Sequence, residues 1–302
     1  MAPAFCSQLA RSHDVSPVGT AAEAAHWLLI EDPSPWGAAA VEDADWFAEV
    51  QAALAHWHDS VPGLRVQLIR RGLDACDTPN RRRCIAVRAG ERPGLREWSL
   101  SGYEELAALP VPQAFQAPAS TEDPPDPLVL TCVNGRRDAC CAKWGRPVAR
   151  AATDTAPNAA WQTSHLGGHR FAPTAVVLPH GTHYAWLRPD DMPDLLAAHR
   201  TGHIYDLDRV RGAVHRRRPV QAACLALRKR LGHTALGAVR GEIEATRDER
   251  WTVRVQAEGA SWMAQVWQEP HEASFPHNCG SDEAKPALAW RVDWEGAGPP
   301  DA

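Results

Sequence analysis

Two histidines, His165 and His169, enclose the pair Gly167-Gly168, and two cysteines, Cys132 and Cys141, stand upstream of them. Thiolate and neutral imidazole are the donors that borderline metals take, four around zinc in structural sites and in mixed sets around some iron-sulfur centres. The glycine pair removes the Cβ atoms that would stop the backbone curling around such a site. It also disfavours the helix on which an i,i+4 histidine pair would otherwise sit, so a loop is predicted. The residues point to a metal site of Cys132, Cys141, His165 and His169. By donor type alone, both zinc and an iron-sulfur centre remain open.

Those four residues need a frame. Leu128-Val129-Leu130-Thr131 reads as a buried strand running into Cys132, with Cys141 in the loop that follows. Pro147 suits the first turn of a helix reaching about Ala152. Thr174 to Leu178 and His183 to Leu187 flank the turn Pro179-His180-Gly181-Thr182 as a hairpin, which places His180 and His183 where they could approach the site, a surface role being the plainer reading. Further on, helices are expected over Met192 to His199 and Pro219 to Leu231. The second has Val220, Cys224, Leu227 and Leu231 on one face and Gly232 to end it. Trp251 to Val255 and Trp262 to Trp267 form a hairpin, and Ala289 to Trp294 one more strand.

The first half has a similar order. Trp27 to Ile30 is a short apolar run, Glu42 to His58 has helical apolar spacing, and Leu64 to Ile69 alternates, giving a β-α-β start. Cys84 to Val87 pairs with Glu97 to Leu100, and a short helix follows from Tyr103 to Leu109. Pro110 to Pro127 lacks either period and reads as a linker. The predicted organisation is a unit at 1–109, a linker at 110–127 and a second unit at 128–302, a degenerate internal repeat in which only the second copy has the ligand set.

The chain has 302 residues, 44% hydrophobic and 23% charged, enough for a substantial core and two domains. Its 25 prolines and 21 glycines predict many turns and short elements. No run approaches the roughly 18 apolar residues of a membrane helix, and Met1 to Cys6 has no signal-peptide core, so a cytoplasmic protein is expected, with its eight cysteines as thiols. Cys6, Cys76, Cys84 and Cys279 have no partner at short metal-ligand spacing and read as structural or exposed thiols. A net charge of -5 argues against a nucleic-acid binder, and the runs Arg81-Arg82-Arg83, Arg216-Arg217-Arg218 and Arg228-Lys229-Arg230 read as solvated surface. Arg136, Arg137, Lys143, Arg146 and Arg170 crowd the ligands in sequence, either as a basic docking face or as ordinary surface.

Thr131-Cys132, Arg137-Asp138, Cys141, Gly145-Arg146-Pro147 and the histidine loop followed by Phe171-Ala172 together resemble the sucrase/ferredoxin-like family. Cys6-Ser7, Gly19-Thr20, Trp27 to Glu31 and Pro35-Trp36-Gly37 extend the resemblance to the amino-terminal part. It implies an α/β fold of two thioredoxin-like units, the second a thioredoxin-like ferredoxin domain with a carboxy-terminal α+β extension. It also implies a 2Fe-2S cluster held by Cys132, Cys141, His165 and His169. The family's Arg-Asp-x-x-Cys pattern selects Cys141 over its neighbour Cys140. A one-electron carrier of this kind implies a redox partner protein such as a flavoprotein reductase, with no nucleic acid and no membrane involved.

Two imidazoles in place of two thiolates raise the formal charge of an oxidised cluster from about -2 to about zero, which eases reduction. By analogy with two-histidine Rieske centres, the potential should lie above about -400 mV and depend on pH if an imidazole proton is released on oxidation. The alternative is a zinc-stabilised structural or interaction module on the same donors. Glycoside hydrolysis, which the word sucrase invites, needs two placed carboxylates, and the 37 acidic residues single out no pair. A thiol-disulfide oxidoreductase would need a C-x-x-C pair, which the chain lacks.

Overall fold

The computed structural model describes residues 5–72, 81–116 and 126–300. A short helix, α1 (Cys6–Ser12), precedes β1 (His26–Glu31), α2 (Ala48–Ser60), β2 (Leu64–Arg70), β3 (Arg82–Arg88), β4 (Gly94–Leu100) and α3 (Val111–Gln116). The second half contributes β5 (Leu128–Cys132), α4 (Ala139–Thr155), β6 (Ala160–Thr163), β7 (Ala175–Leu178), β8 (Thr182–Tyr184), α5 (Met192–Arg200) and β9 (Val210–Ala213). These nine strands form one mixed sheet in the order β4-β3-β1-β2-β6-β5-β7-β8-β9.

The two halves of this sheet repeat one strand order. β1 lies parallel to β2 and antiparallel to β3, which pairs with β4; likewise β5 lies parallel to β6 and antiparallel to β7, which pairs with β8. The halves join where β2 meets β6 antiparallel, Ile69 opposite Thr163 and Arg70 opposite Gln162. The chain is therefore α/β, and both halves share one continuous sheet.

The period of two along β1 explains why the sheet is covered on both faces. Leu28 and Ile30 point to a core with Trp36, Trp46, Trp57 and Val50, while Trp27 and Leu29 point to the other face, against Ile69, Ile85, Leu130 and Trp161. β5 and β7 alternate in the same way. Val129, Ala175 and Val177 meet Val148, Leu195 and Leu196 of the helices, whereas Leu130, Cys132, Val176 and Leu178 face the core that contains Trp27.

Downstream, α6 (Arg218–Leu231) lies over a four-stranded antiparallel sheet of β10 (Val239–Arg247), β11 (Arg250–Ala257), β12 (Ala260–Pro276) and β13 (Ala284–Trp294). Val220, Cys224 and Leu227 pack on Val253, Val255, Ala264 and Val266, and Gly232 ends the helix with φ +67°. The loop from β12 to β13 returns to the start of α4. Among the described residues no helix is long and apolar enough to cross a membrane.

Four local expectations need correction. The helix expected over Glu42 to His58 is α2 and begins at Ala48, because the Asp43 carboxylate accepts the Ala39 N–H and the Trp46 indole donates to the Val41 carbonyl, holding that stretch in turns. Part of the expected linker is the helix α3, anchored by buried Val111 and Phe115; residues 117–125 lie outside the described residues, as does Cys76. α4 begins at Ala139, so Cys141 lies in its first turn rather than in a loop, and Pro147 lies inside the helix; Asp138 sets the start as its capping residue. The strand after the 179–182 turn stops at Tyr184, since Trp186 takes φ +49° and turns the chain.

Candidate metal centre

β5 delivers Cys132 at its carboxyl end, and the Cys132 N–H donates to the Thr174 carbonyl. The next six residues are a tight turn. The Asn134 side chain accepts the Arg137 N–H, and the Asp138 carboxylate accepts the Cys140 N–H at 2.9 Å, which starts α4 and aims its first turn at the strand end. Gly145 permits the close approach: a Cβ there would lie 2.0 Å from the Cys132 carbonyl oxygen. Cys132 and Cys141 are both buried.

The histidine loop is held from below and behind. Ser164 donates its N–H to Leu68 and its hydroxyl to Gln67, both on β2. Arg65 donates to the His165 carbonyl at 2.8 Å, and Arg211 donates to the Gly167 carbonyl at 2.8 Å. Gly168 has φ +71°, a backbone that favours glycine, and a Cβ on it would displace the Arg211 guanidinium.

The loop places His165 Nδ1 at 3.8 Å from Cys132 Sγ and 3.7 Å from Cys141 Sγ. One donor atom from each of these three residues lies within 4.8 Å of the others, a spacing that could hold a metal ion. His169 stands beside them, its ring centre 5.3 Å from that of His165. Its Nε2–H donates to the His277 carbonyl at 2.7 Å, which leaves Nδ1 as the lone-pair nitrogen; Nδ1 is buried and has no hydrogen-bond partner. Cys140 points away from this centre, its Sγ lying near Cys6 and Cys279 instead.

A sequence model for sucrase/ferredoxin-like proteins matches residues 17–212. The chain belongs to the sucrase/ferredoxin-like family. The matched part spans all but the last residue of the nine-stranded sheet and contains Cys132, Cys141, His165 and His169, whereas α1, α6 and the second sheet lie outside it. No curated protein and no solved structure matches the chain significantly.

In this sucrase/ferredoxin-like protein the thiols and imidazoles sit in a strongly polarised setting. The hydrogen bond from Cys141, then the nearby His165, hold the Cys132 thiol well below the usual thiol range although burial opposes this; Cys141, the donor, is held above it by the same bond and by burial. Burial also lowers His169, against the pull of the Asp138 carboxylate 3.7 Å from its Nε2. Burial lowers Arg65, and it lowers Arg211 to about 9. Arg211 also bonds His183 Nε2 at 2.9 Å, so His183 supports the loop indirectly, while His180 pairs instead with His199 at 3.5 Å. Arg136, Arg137, Lys143 and Arg146 are exposed around the start of α4, and Arg170 is half-buried over Phe171.

Arg65 and Arg211 are the residues that sequence reasoning missed. Arg65 occupies an ordinary polar position of an alternating strand, and Arg211 follows a turn. Neither carries a spacing relation to the loop it supports, since both bonds join distant parts of the chain.

Proposed function

We propose that this protein is a one-electron carrier whose 2Fe-2S cluster is held by Cys132, Cys141, His165 and His169. The observation that carries this reading is the donor set itself: two buried thiols, a histidine nitrogen facing both, and a second histidine nitrogen buried without a partner. A buried, unbonded Nδ1 is costly unless something accepts its lone pair. When bound, such a cluster accepts and releases a single electron.

The chain's own groups would then do the rest. Cys132 is disposed to lose its proton, and the His277 carbonyl fixes His169 in the tautomer that presents Nδ1. Half-buried Arg65 and buried Arg211 place positive charge behind the loop, favouring added negative charge. The half-exposed histidine loop and the exposed Arg136, Arg137, Lys143 and Arg146 supply an edge for an acidic redox partner, such as a flavoprotein reductase. The repeated strand order of the two halves supports two thioredoxin-like units, only the second a ferredoxin. Unpaired thiols at all described cysteines fit a reducing, cytoplasmic setting.

Zinc on the same donors is the second reading, favoured by the closeness of Cys132, Cys141 and His165, which suits a single ion. Metal analysis and a reductive titration of protein purified without oxygen separate the two. A coloured protein with two irons per chain that takes up one electron reversibly is expected. A colourless protein with zinc on these donors and no redox response would leave the structural module.

A further inference from the structure

Three thiols from three distant parts of the chain meet at the start of α4, on the side away from Cys132. Cys6 opens α1, Cys140 lies in the first turn of α4, and Cys279 lies in the loop between β12 and β13. Their sulfurs are separated by 2.9 Å (Cys140 to Cys279), 3.4 Å (Cys6 to Cys140) and 3.6 Å (Cys6 to Cys279). Buried Asp138 adds a carboxylate, with Oδ1 3.9 Å from Cys6 Sγ. Its two oxygens accept the N–H groups of Cys140 and Cys279, each at 2.9 Å, so one side chain positions two of the three cysteines. All four donor atoms lie within 4.8 Å of one another.

We infer that Cys6, Cys140, Cys279 and Asp138 form a second metal site, which takes a single zinc ion and is separate from the Cys132 centre. The circle through the three sulfurs has a radius of about 1.9 Å, smaller than the zinc–sulfur bond of about 2.3 Å, so one ion can touch all three from one side of their plane. The carboxylate has lone pairs left after accepting two N–H bonds and completes four donors of the types zinc takes. A disulfide would use two of these sulfurs and give no reason for the third, whereas an ion needs them all. Zinc entry breaks three S–H bonds, forms three Zn–S bonds and releases three protons to solvent, with no change of oxidation state.

The site joins α1 and the second sheet to α4. Cys6 and Cys279 both lie outside the 17–212 segment matched to the family, and Cys140 lies inside it. The same β12–β13 loop contains His277, whose carbonyl holds His169, so an ion on Cys279 would also steady that histidine. The inference does not depend on the electron-carrier reading.

The test is zinc and iron content, with zinc affinity by competition against a chelator, for the full chain and for Cys279→Ser and Cys132→Ser, all purified under reducing conditions. One zinc per chain is expected to remain in Cys132→Ser, whichever metal the Cys132 centre takes, and the affinity for that zinc should fall about 100-fold or more in Cys279→Ser. Zinc affinity undiminished in Cys279→Ser, or a Cys132→Ser protein left with no zinc at all, would overturn it. Iron counted in the same samples bears on the electron-carrier reading alone. A second measurement needs no variant: alkylation of the half-exposed Cys279 in the folded wild-type protein, mapped by peptide mass, should be blocked when zinc is present and proceed once zinc is removed. Equal alkylation with and without zinc, or a Cys140–Cys279 disulfide, would overturn the proposal.

Discussion

The two halves of the nine-stranded sheet share a strand order and differ in what fills the space beyond their first strand. After β1 the chain uses residues 32–47 before α2, and the space receives Trp36, Trp46 and Trp57. After β5 only residues 133–138 precede α4, so the first turn of that helix reaches the strand end and sets Cys141 near Cys132. The lesson is that loop length and helix start decide what the scaffold holds. One half is held by apolar burial; the other places donor atoms.

The sharpest way to break the comparison is to change one residue in each half. Trp57→Ala, at a site 3% exposed, should cost about 3–5 kcal/mol in chemical denaturation while leaving metal per folded chain unchanged. Cys132→Ser should do the reverse, emptying the centre it helps to form with a smaller loss of stability. A Trp57→Ala chain that folds but loses its metal would show that the halves are not separable in this way.

Gly145→Ala tests the approach of α4 to β5. The added methyl would overlap the Cys132 carbonyl, and relief by shifting the helix should cost about 1–3 kcal/mol and lower metal occupancy. Gly168→Ala should have a smaller effect, about 1–2 kcal/mol from its left-handed backbone, together with displacement of Arg211. Metal occupancy unaffected by both changes would contradict the role given to close backbone approach.

The smallest effect near neutral pH concerns histidine. The described histidines of the first half, His13, His26, His56 and His58, are not buried, whereas His183 and His199 of the second half are. Burial lowers His199 from 6.5 to about 3, and its neighbours are the Tyr184 hydroxyl and His180. The unfolded chain therefore takes up that proton first, so the stability tied to neutral His199 is complete above about pH 6.5 and lost as pH falls toward 3. Melting temperature against pH should decline over that window, and less steeply in His199→Gln.

Much of this was legible from local rules. The strand ending in Cys132, the loop around Gly167-Gly168 and the helix ended by Gly232 follow from hydrophobic period and backbone freedom, which act over a few residues. The start of α4 was misjudged because Pro147 and Asp138 are both helix-start signals and only packing ranks them. Val111 and Phe115 gave too short an apolar pattern to reveal α3. The roles of Arg65 and Arg211, and the meeting of Cys6, Cys140 and Cys279, have no sequence period at all. They arise when β2 meets β6, when β9 pairs with β8 and when the β12–β13 loop folds back onto α4.

The most direct test of the central claim is nitrogen hyperfine coupling by pulsed electron paramagnetic resonance on the anaerobically purified, one-electron-reduced protein. The account predicts couplings from two imidazole nitrogens, one of which disappears in His169→Cys. A reduced protein with no nitrogen coupling, or one with no paramagnetic centre on reduction, would contradict it.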